Sequence, residues 1–290
     1  MDYWEVRSCI HDCIDLTNSL LLDTASALWL LNFDELATER PVYVIDNLGF
    51  GKSSRADFPK DAIKVEEHFV ETIEGWRKAV KLNKFVLCGH SMGGFLGLSY
   101  ALKYPQHIEH LILSEPWGMT EKPPSGWPIK HVPKSLRFLY YLTFVTNAYF
   151  GVRTAGKFGQ KIVENECYTL IHSLNTLVND KKIISQYLHQ CNIRRPTGET
   201  AFSTLMDRLF WAKNPMIHRI SQLNEQIPLT FIYGHKSIIE QVDETALKLL
   251  RPKSFVKFNV MMNSGHEVYC KEFKEFNQII KDSCKILKQI

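Results

Sequence analysis

The chain has 290 residues, 45% of them apolar and 23% charged, and its formal net charge is +4 at neutral pH. This composition is typical of a globular protein and excludes a disordered chain, while so small a basic excess does not favour nucleic-acid binding. No apolar run reaches the roughly 18 residues that a membrane-spanning helix requires. The seven cysteines are scattered without a CxxC pair, which predicts free thiols in a reducing compartment and neither a disulfide framework nor a metal site.

Strand and helix patterns alternate through most of the chain. Short apolar runs bounded by turn residues predict five strands, at residues 41–46, 84–88, 108–114, 228–233 and 254–261. The spacing of apolar residues predicts three helices, at residues 66–80, 93–104 and 272–287. This alternation predicts an α/β fold with a mostly parallel sheet flanked by helices on both faces, in which functional residues gather at the carboxyl ends of the strands.

The alternation of strand and helix patterns is interrupted between residues 118 and 226, where the pattern is helical and irregular. We therefore expect a core made of residues 1–117 and 227–290, with residues 118–226 inserted as a helical lid. Residues 134–150 of this insertion are rich in leucine and aromatic residues, with basic residues at either end. They predict either a lid helix over the functional site or an amphipathic surface that rests on a membrane.

A predicted strand, FVLC, is followed by Gly89, His90, Ser91, Met92 and Gly93, and then by an apolar helix. This is the G-x-S-x-G pattern in the strand–turn–helix context in which it forms a nucleophile elbow. The strained turn needs small residues two positions before and after the serine, and it raises the serine Oγ above the sheet. The pattern predicts Ser91 as a nucleophile, with the N–H of Met92 facing a developing oxyanion. His90 is expected to serve packing and the shape of the turn.

A serine nucleophile needs a base, and with this motif the chain order is serine, acid, histidine. His266 lies just after the last predicted strand and before the closing helix, which makes it the expected base. The acid should follow the strand FIYG, where Glu240, Asp243 and Glu244 are the candidates; Glu240 comes first, and Asp243 is the next choice. A glutamate orients an imidazole as an aspartate does, by accepting its Nδ1 proton. His110 is interpreted as a surface residue.

A family resemblance is carried by the stretches LWLLNFDELA, DNLGFGKSSR, GHSMGGFLGLSYALKYP, HLILSEPWG, PTGETAF, WAKNPM, FIYG and SGHEVY. They are spread over residues 28–280, and in them the chain resembles the α/β-hydrolase subfamily of the N-acyl-phosphatidylethanolamine lysophospholipase and its paralogue, the lipid-droplet lipase coactivator. The resemblance implies an α/β-hydrolase fold and action on lipid esters, as a hydrolase or as a lysophosphatidic-acid acyltransferase. Ser91 is similar to the lipase branch, since the coactivator branch carries asparagine there. Glu240 stands where the FIYG loop of the family carries aspartate.

Two departures from the family pattern bear on activity. The family carries His-Gly-x-Gly-Gly on a strand that supplies a second oxyanion N–H, whereas residues 1–27 of this chain contain no glycine. The loss of one oxyanion donor costs about 10²–10³ in rate, and we also expect the N-terminal strands of the sheet to be truncated. The family motif His-x4-Asp, which the resemblance links to acyl transfer, is interrupted because Lys271 stands five residues after His266.

These features favour a serine hydrolase that cleaves acyl esters of phospholipids or lysophospholipids in lipid homeostasis, with no cofactor and no metal. Two alternatives stay open: a lysophosphatidic-acid acyltransferase, and a non-catalytic lipid-droplet protein that activates a partner lipase. The expected partners are a lipid substrate and the surface of a membrane or lipid droplet, and no nucleic acid. The acidic N-terminus does not resemble a secretory signal, so the expected location is cytoplasmic and peripheral at such a surface, with the mitochondrion as a further possibility.

Overall fold

The structure of the chain is a computed structural model, and it describes residues 13–17, 26–123, 150–180, 182–207 and 210–286. Its centre is a six-stranded sheet of β1 (Cys13–Thr17), β2 (Val42–Asp46), β3 (Phe85–His90), β4 (Ile108–Ser114), β5 (Leu229–Gly234) and β6 (Val256–Met261). The strand order is β2-β1-β3-β4-β5-β6, and every neighbouring pair is parallel. The prediction of five strands in a mostly parallel sheet is confirmed.

Each face of the sheet has its own apolar core. Successive side chains of a strand point to opposite faces, so Phe85 and Leu87 of β3 pack in one core while Val86 and Cys88 pack in the other. All four side chains are buried. A continuous apolar run of this kind is expected for a parallel strand that helices cover on both sides.

The described α-helices are α1 (Leu30–Leu36), α2 (Ala62–Ala79), α3 (Met92–Lys103), α4 (Phe150–Thr154), α5 (Gly159–Glu166), α6 (Tyr168–Leu174), α7 (Lys182–Asn192), α8 (Thr197–Leu205), α9 (Glu244–Leu250), α10 (Val268–Lys271) and α11 (Phe273–Ile286). Helices α2 and α3 pack in the core that contains Leu87, and α1 and α11 pack in the core that contains Val86. The three predicted helices are confirmed as α2, α3 and α11. In the described part of the chain, no helix is both long and apolar enough to cross a bilayer.

Helix α2 shows how local sequence sets these elements. It begins after Asp61, whose side chain accepts the Lys64 N–H at 3.0 Å and so satisfies one of the unpaired donors of the first turn. Phe69, Ile73 and Trp76 follow at helical spacing, and each is at most 2% exposed. One face of α2 therefore lies in the core beside α3, the helix that follows the serine.

Strand β1 lies in the N-terminal segment, for which the sequence pattern predicts no strand. It pairs with β2 on one side and β3 on the other, with Leu16 aligned beside Gly89. The expected truncation of the N-terminal strands therefore does not extend to β1, which is an interior strand of the sheet. Five residues with a central aspartate are too few for periodicity to distinguish a strand from a loop.

The chain between β4 and β5 contributes helices α4 to α8. Within its described residues the only strand-like pairing is a single bridge between Met206 and Ala212. Apolar side chains of α5 join one of the two cores and those of α8 join the other. The segment 134–150, predicted to form a lid or a membrane surface, lies outside the described residues except for Phe150, so its role stays a prediction.

Candidate active site

Ser91 occupies the sharp turn between β3 and α3. Its backbone has φ 54° and ψ −120°, a conformation that is costly for a residue with a Cβ and that persists only where the surroundings enforce it. The Ser91 N–H donates to the Ser114 carbonyl at 3.0 Å, and the Ser91 carbonyl accepts the Trp117 N–H at 3.0 Å. The end of β4 and the chain that follows it therefore hold the turn in place.

The glycine two positions before the serine is required by close packing of the backbone. A Cβ added to Gly89 would lie 2.4 Å from the Gly93 carbonyl oxygen and 2.8 Å from the Gly94 Cα. Both contacts are with backbone atoms, so no side chain could move to relieve them. Gly89 thus lets β3 and α3 approach closely enough to form the elbow.

Helix α3 begins at Met92, directly after the serine. The first N–H groups of a helix have no intrahelical carbonyl partner, and the helix dipole makes this end electropositive. The Met92 N–H is thus placed to stabilise an anion that forms at the serine.

His266 lies at the same edge of the sheet as the elbow. The rings of His90 and His266 have centroids 4.6 Å apart, and His90 Nε2 donates to the His266 carbonyl at 2.9 Å. The loop is also held by Glu272, whose carboxylate accepts the Ser264 hydroxyl at 2.6 Å and the Asn263 Nδ2 at 3.0 Å. His90 therefore positions the loop that carries His266, which agrees with the packing role predicted for it.

The carboxylate that contacts His266 belongs to Glu115, the first residue after β4. Its Oε2 lies 3.2 Å from His266 Nδ1, and the side chain is fully buried. The same carboxylate accepts the Gly234 N–H at 2.5 Å and the Ser237 hydroxyl. A carboxylate oxygen in this position accepts from an N–H at Nδ1, and in that tautomer Nε2 is the ring atom left to accept a proton. Glu115 has φ 47°, a second strained backbone at this edge of the sheet.

The structure does not bring Glu240, the expected acid, to His266; the carboxylate that contacts His266 Nδ1 is that of Glu115 instead. The loop after β5 turns directly behind the strand, and its Ser237 faces the carboxylate of Glu115. Glu240 lies three residues further on, where it is exposed and lines a neighbouring pocket. The loop therefore contributes a hydroxyl to the site in place of the expected acid.

The other acids of this loop have structural partners of their own. Asp243 is exposed, and its side chain accepts the Ala246 N–H at 2.7 Å as the N-cap of α9. Glu244 forms an exposed ion pair with Lys248 at 2.6 Å. Neither is brought to His266.

Sequence reasoning missed Glu115 although two signals point to it. The residue follows a buried strand immediately, and that strand, β4, neighbours the serine-bearing strand β3. Carboxyl ends of adjacent parallel strands meet at one edge of the sheet. The chain order of Ser91, Glu115 and His266 is also the expected order of serine, acid and histidine.

Two polar atoms at the centre of the site have no hydrogen-bond partner among the described residues: Ser91 Oγ and His266 Nε2. Ser91 has no exposed surface and His266 is 6% exposed. Buried polar atoms are rarely left unpaired, and here one is a hydroxyl donor and the other an imidazole acceptor. A hydroxyl, an imidazole held by a carboxylate and an electropositive helix terminus are the groups that nucleophilic acyl transfer uses.

Outside this cluster, His110 differs from its expected position at the surface. It is fully buried, and its Nε2 lies 2.9 Å from the Thr230 Oγ1. The pKa of His110 is lowered to about 4, chiefly because burial disfavours the charged imidazolium.

Across the ranges that the structure describes, no group of three or more histidine, cysteine or acidic side chains is arranged to hold a metal.

Comparison with known sequences identifies relatives along most of the chain. A family model described as the alpha/beta hydrolase fold matches residues 24–272. The 1-acylglycerol-3-phosphate O-acyltransferase ABHD5 of Rattus norvegicus is 42% identical over 257 residues, which are 89% of this chain and 73% of that protein. The (lyso)-N-acylphosphatidylethanolamine lipase of Homo sapiens is 35% identical over 257 residues, which are 89% of this chain and 75% of that protein.

Solved structures with the same fold include a thermophilic esterase from Thermogutta terrifontis, with a TM-score of 0.61 and 20% identity over 95% of this chain and 90% of that chain. A bromoperoxidase from Bacillus anthracis has a TM-score of 0.65 and 17% identity over 94% of this chain and 92% of that chain. At these identities the likeness shows the fold alone. Together with the family model and the two closer relatives, it establishes that the chain belongs to the α/β-hydrolase family.

Proposed function

We propose that this chain is a serine hydrolase that cleaves acyl esters of phospholipids or lysophospholipids. The observation that carries the proposal is a pair of buried atoms that have no hydrogen-bond partner among the described residues, Ser91 Oγ and His266 Nε2, with His266 Nδ1 against Glu115. One relative is named as an acyltransferase of 1-acylglycerol-3-phosphate and the other as a lipase of (lyso)-N-acylphosphatidylethanolamine. Both names support an acyl lipid as the substrate.

In the proposed mechanism, Ser91 Oγ attacks the ester carbonyl carbon while His266 Nε2 takes the hydroxyl proton. Glu115 stabilises the imidazolium and keeps the ring in the orientation that presents Nε2. The Met92 N–H donates to the oxyanion of the tetrahedral intermediate. The imidazolium then protonates the leaving alcohol oxygen, which leaves the acyl group on Ser91. A water molecule, deprotonated by the same imidazole, releases the fatty acid and restores the serine.

Substrate access requires a conformational step. Ser91 is fully covered in this structure, so an ester reaches it only after the covering residues separate. A lipid–water interface would favour that separation, because it replaces the apolar contacts that the closed form buries. We therefore expect serine-reactive reagents to modify Ser91 faster in the presence of lipid micelles. Equal rates of modification with and without micelles would contradict this conformational step.

The direct test is labelling with a fluorophosphonate probe, which reacts with activated serines. Wild-type protein should be labelled, and Ser91→Ala should not be. Ser221→Ala is the matched control, since Ser221 is an exposed serine remote in sequence from the motif. Labelling that survives Ser91→Ala would overturn the assignment of the nucleophile.

A second candidate is transfer of an acyl group to 1-acylglycerol-3-phosphate, and the 42% identity to the relative of that name favours it. The same acyl-enzyme would form on Ser91, and a lysolipid hydroxyl would then replace water. The lysine at position 271, where the resemblance expects aspartate, argues against this outcome. Incubation with acyl-CoA and lysophosphatidic acid should then yield free fatty acid, and Ser91-dependent phosphatidic acid would establish the transferase instead.

A third candidate is a non-catalytic protein at lipid droplets that activates a partner lipase, and the complete burial of Ser91 favours it. The wild type and the Ser91→Ala variant of such a protein would stimulate a lipase equally well. It would also show no probe labelling with or without lipid. The hydrolase proposal instead predicts Ser91-dependent labelling on a lipid surface, to which the protein would bind peripherally.

A further inference from the structure

The loop that carries His266 is anchored to a second carboxylate, that of Glu272. This residue follows helix α10 directly and is half-buried. Its Oε2 accepts the Ser264 hydroxyl at 2.6 Å and the Asn263 backbone N–H at 3.2 Å, and its Oε1 accepts the Asn263 Nδ2 at 3.0 Å. Both carboxylate oxygens therefore hold donors from the two residues that precede Gly265 and His266.

These contacts favour the ionised form of Glu272. Although burial alone would raise it, the pKa of Glu272 lies below its ordinary value, because Ser264 and Asn263 donate to the carboxylate and Lys271 is close by. Ser264 has no exposed surface, and hydrogen bonds to a charged acceptor are about twice as strong as those between neutral groups. Position 271, at which the family resemblance expects an aspartate, is a lysine, and the carboxylate at this turn comes from the next residue.

The anchored segment packs closely on the end of β5. The Ser264 carbonyl accepts the Lys236 N–H at 3.0 Å. A Cβ added to Gly234, the last residue of β5, would lie 2.7 Å from the same carbonyl oxygen. The turn after β5 also contains Ser237, whose hydroxyl donates to Glu115. The segment thus lies directly against the turn that contacts the carboxylate of the site.

The position of the His266 ring tolerates little movement. Its Nδ1 lies 3.2 Å from Glu115 Oε2, at the long end of the range for an N–H···O hydrogen bond, and reacting groups must be held within about 0.5 Å of their productive geometry. One residue, Gly265, separates the ring from the anchored segment, and glycine has the greatest backbone freedom. Anchors on both sides of this glycine therefore fix the ring: Glu272 supplies one, and the bond from His90 Nε2 to the His266 carbonyl at 2.9 Å supplies the other.

We propose that Glu272 is a positioning residue for His266, which holds the loop in the arrangement that keeps Nδ1 on Glu115 and presents Nε2 to Ser91. The inference rests on the proposed hydrolase function and adds a residue to its machinery. Glu272 acts on the imidazole only through the loop, so its removal should slow the chemical step of the folded protein. A residue that merely stabilised the fold would change the free energy of unfolding and leave the kcat of the folded protein unchanged.

The kinetic test uses Glu272→Gln, which keeps the size of the side chain but replaces one acceptor oxygen by an NH2 group that cannot accept from Asn263 or Ser264. With a short-chain p-nitrophenyl ester, kcat should fall about 10- to 100-fold with little change in KM, because lost alignment acts on the chemical step. The matched control is Glu275→Gln, which neutralises an exposed acid three residues further on and should keep kcat near wild type. A wild-type kcat in Glu272→Gln, or a loss confined to KM, would overturn the proposal.

A double-mutant cycle tests whether Glu272 acts through Ser264. Ser264→Ala removes the shortest of the three contacts and should lower kcat as well. The double variant should lose no more activity than Glu272→Gln alone, because residues that act through one contact do not have additive effects. Losses that multiply in the double variant would contradict positioning through this loop. Ser264→Ala also keeps the proposal testable if Glu272→Gln does not fold.

Nuclear magnetic resonance of protein with isotope-labelled histidine separates failure of this inference from failure of the proposed function. Wild type should show a slowly exchanging His266 Nδ1 proton, identified by its loss in His266→Gln. Glu272→Gln should broaden or abolish this signal, and Glu275→Gln should keep it. Loss of the signal in Glu272→Gln without any wild-type hydrolysis would uphold the positioning role and reject the hydrolase. Ser91-dependent hydrolysis with the signal and kcat unchanged in Glu272→Gln would uphold the hydrolase and reject the positioning role.

Discussion

Replacement of Glu115 by glutamine tests the acid that the geometry assigns. Three donors converge on this buried carboxylate: the Gly234 N–H at 2.5 Å, the Ser237 hydroxyl, and His266 Nδ1 at 3.2 Å. Glutamine keeps the shape of the side chain but offers one acceptor oxygen and an NH2 group that only donates. With the NH2 towards His266, the ring would carry its proton on Nε2, where it could no longer accept the proton of Ser91.

The expected magnitude follows from this change of tautomer. The corresponding aspartate-to-asparagine change in a serine protease lowers kcat about 10⁴-fold while the geometry stays intact. A loss of 10⁴ corresponds to about 5.5 kcal/mol in the activation free energy. We therefore expect Glu115→Gln to lower kcat for a short-chain p-nitrophenyl ester by about 10³–10⁴, with little change in KM.

The matched control is Asp243→Asn, which removes the charge of the next-choice acid. Its side chain caps α9, and asparagine caps a helix about as well as aspartate does, so activity and stability should both stay near wild type. Circular dichroism and the unfolding midpoint would establish that both variants are folded. If Glu115→Gln kept more than a tenth of the wild-type kcat, or if Asp243→Asn lost as much activity, the assignment of Glu115 would be refuted.

Three further predictions concern the elbow, the hydroxyl on Glu115 and the buried histidine. Gly89→Ala should lower the free energy of unfolding by about 3 kcal/mol, because its Cβ would meet backbone at 2.4 Å. Gly75→Ala, in α2 with nothing within 4 Å of its Cβ, should instead raise that free energy by about 1 kcal/mol; urea unfolding measures both, and equal effects would contradict the packing argument. Ser237→Ala should lower kcat about 10- to 100-fold, because a hydrogen bond to the charged Glu115 is lost; Ser237→Thr should restore it, and full activity of the alanine variant would exclude a positioning role. His110 has its pKa lowered to about 4 from an ordinary 6.5, so the unfolded chain binds more protons below about pH 6.5 and stability falls as the pH falls towards 4. Between pH 7 and 5 this proton uptake lowers the free energy of unfolding by about 2 kcal/mol. Urea unfolding of His110→Gln should not show this loss, and a pH dependence identical to that of wild type would contradict the prediction.

The features that sequence reasoning recovered are those encoded over short stretches. A buried strand, the G-x-S-x-G turn and an apolar helix follow one another directly, so local pattern predicts the elbow at Ser91. His266 is equally local, since it lies between a strand and a helix near the end of the chain. The structure places both residues at one edge of the sheet, as that reasoning expects.

The features that it missed depend on contacts between distant parts of the chain. The choice of Glu115 over Glu240 is set by how the loop after β5 turns, which presents Ser237 to Glu115 and leaves Glu240 exposed. The family resemblance also pointed to Glu240, because it compares positions along the chain and not the path of a loop. β1 is recognisable only through its pairing with β2 and β3.

The most direct test of the account is to trap the acyl group on the protein. Wild-type protein should be mixed with a lysophospholipid and micelles, quenched in acid within the first turnovers, and digested for mass spectrometry. The account predicts the fatty-acyl mass on the peptide that contains Ser91, with none on that peptide in Ser91→Ala and no fatty-acid release by that variant. Fatty-acid release that continues in Ser91→Ala, or an acyl group carried by a different residue, would contradict it.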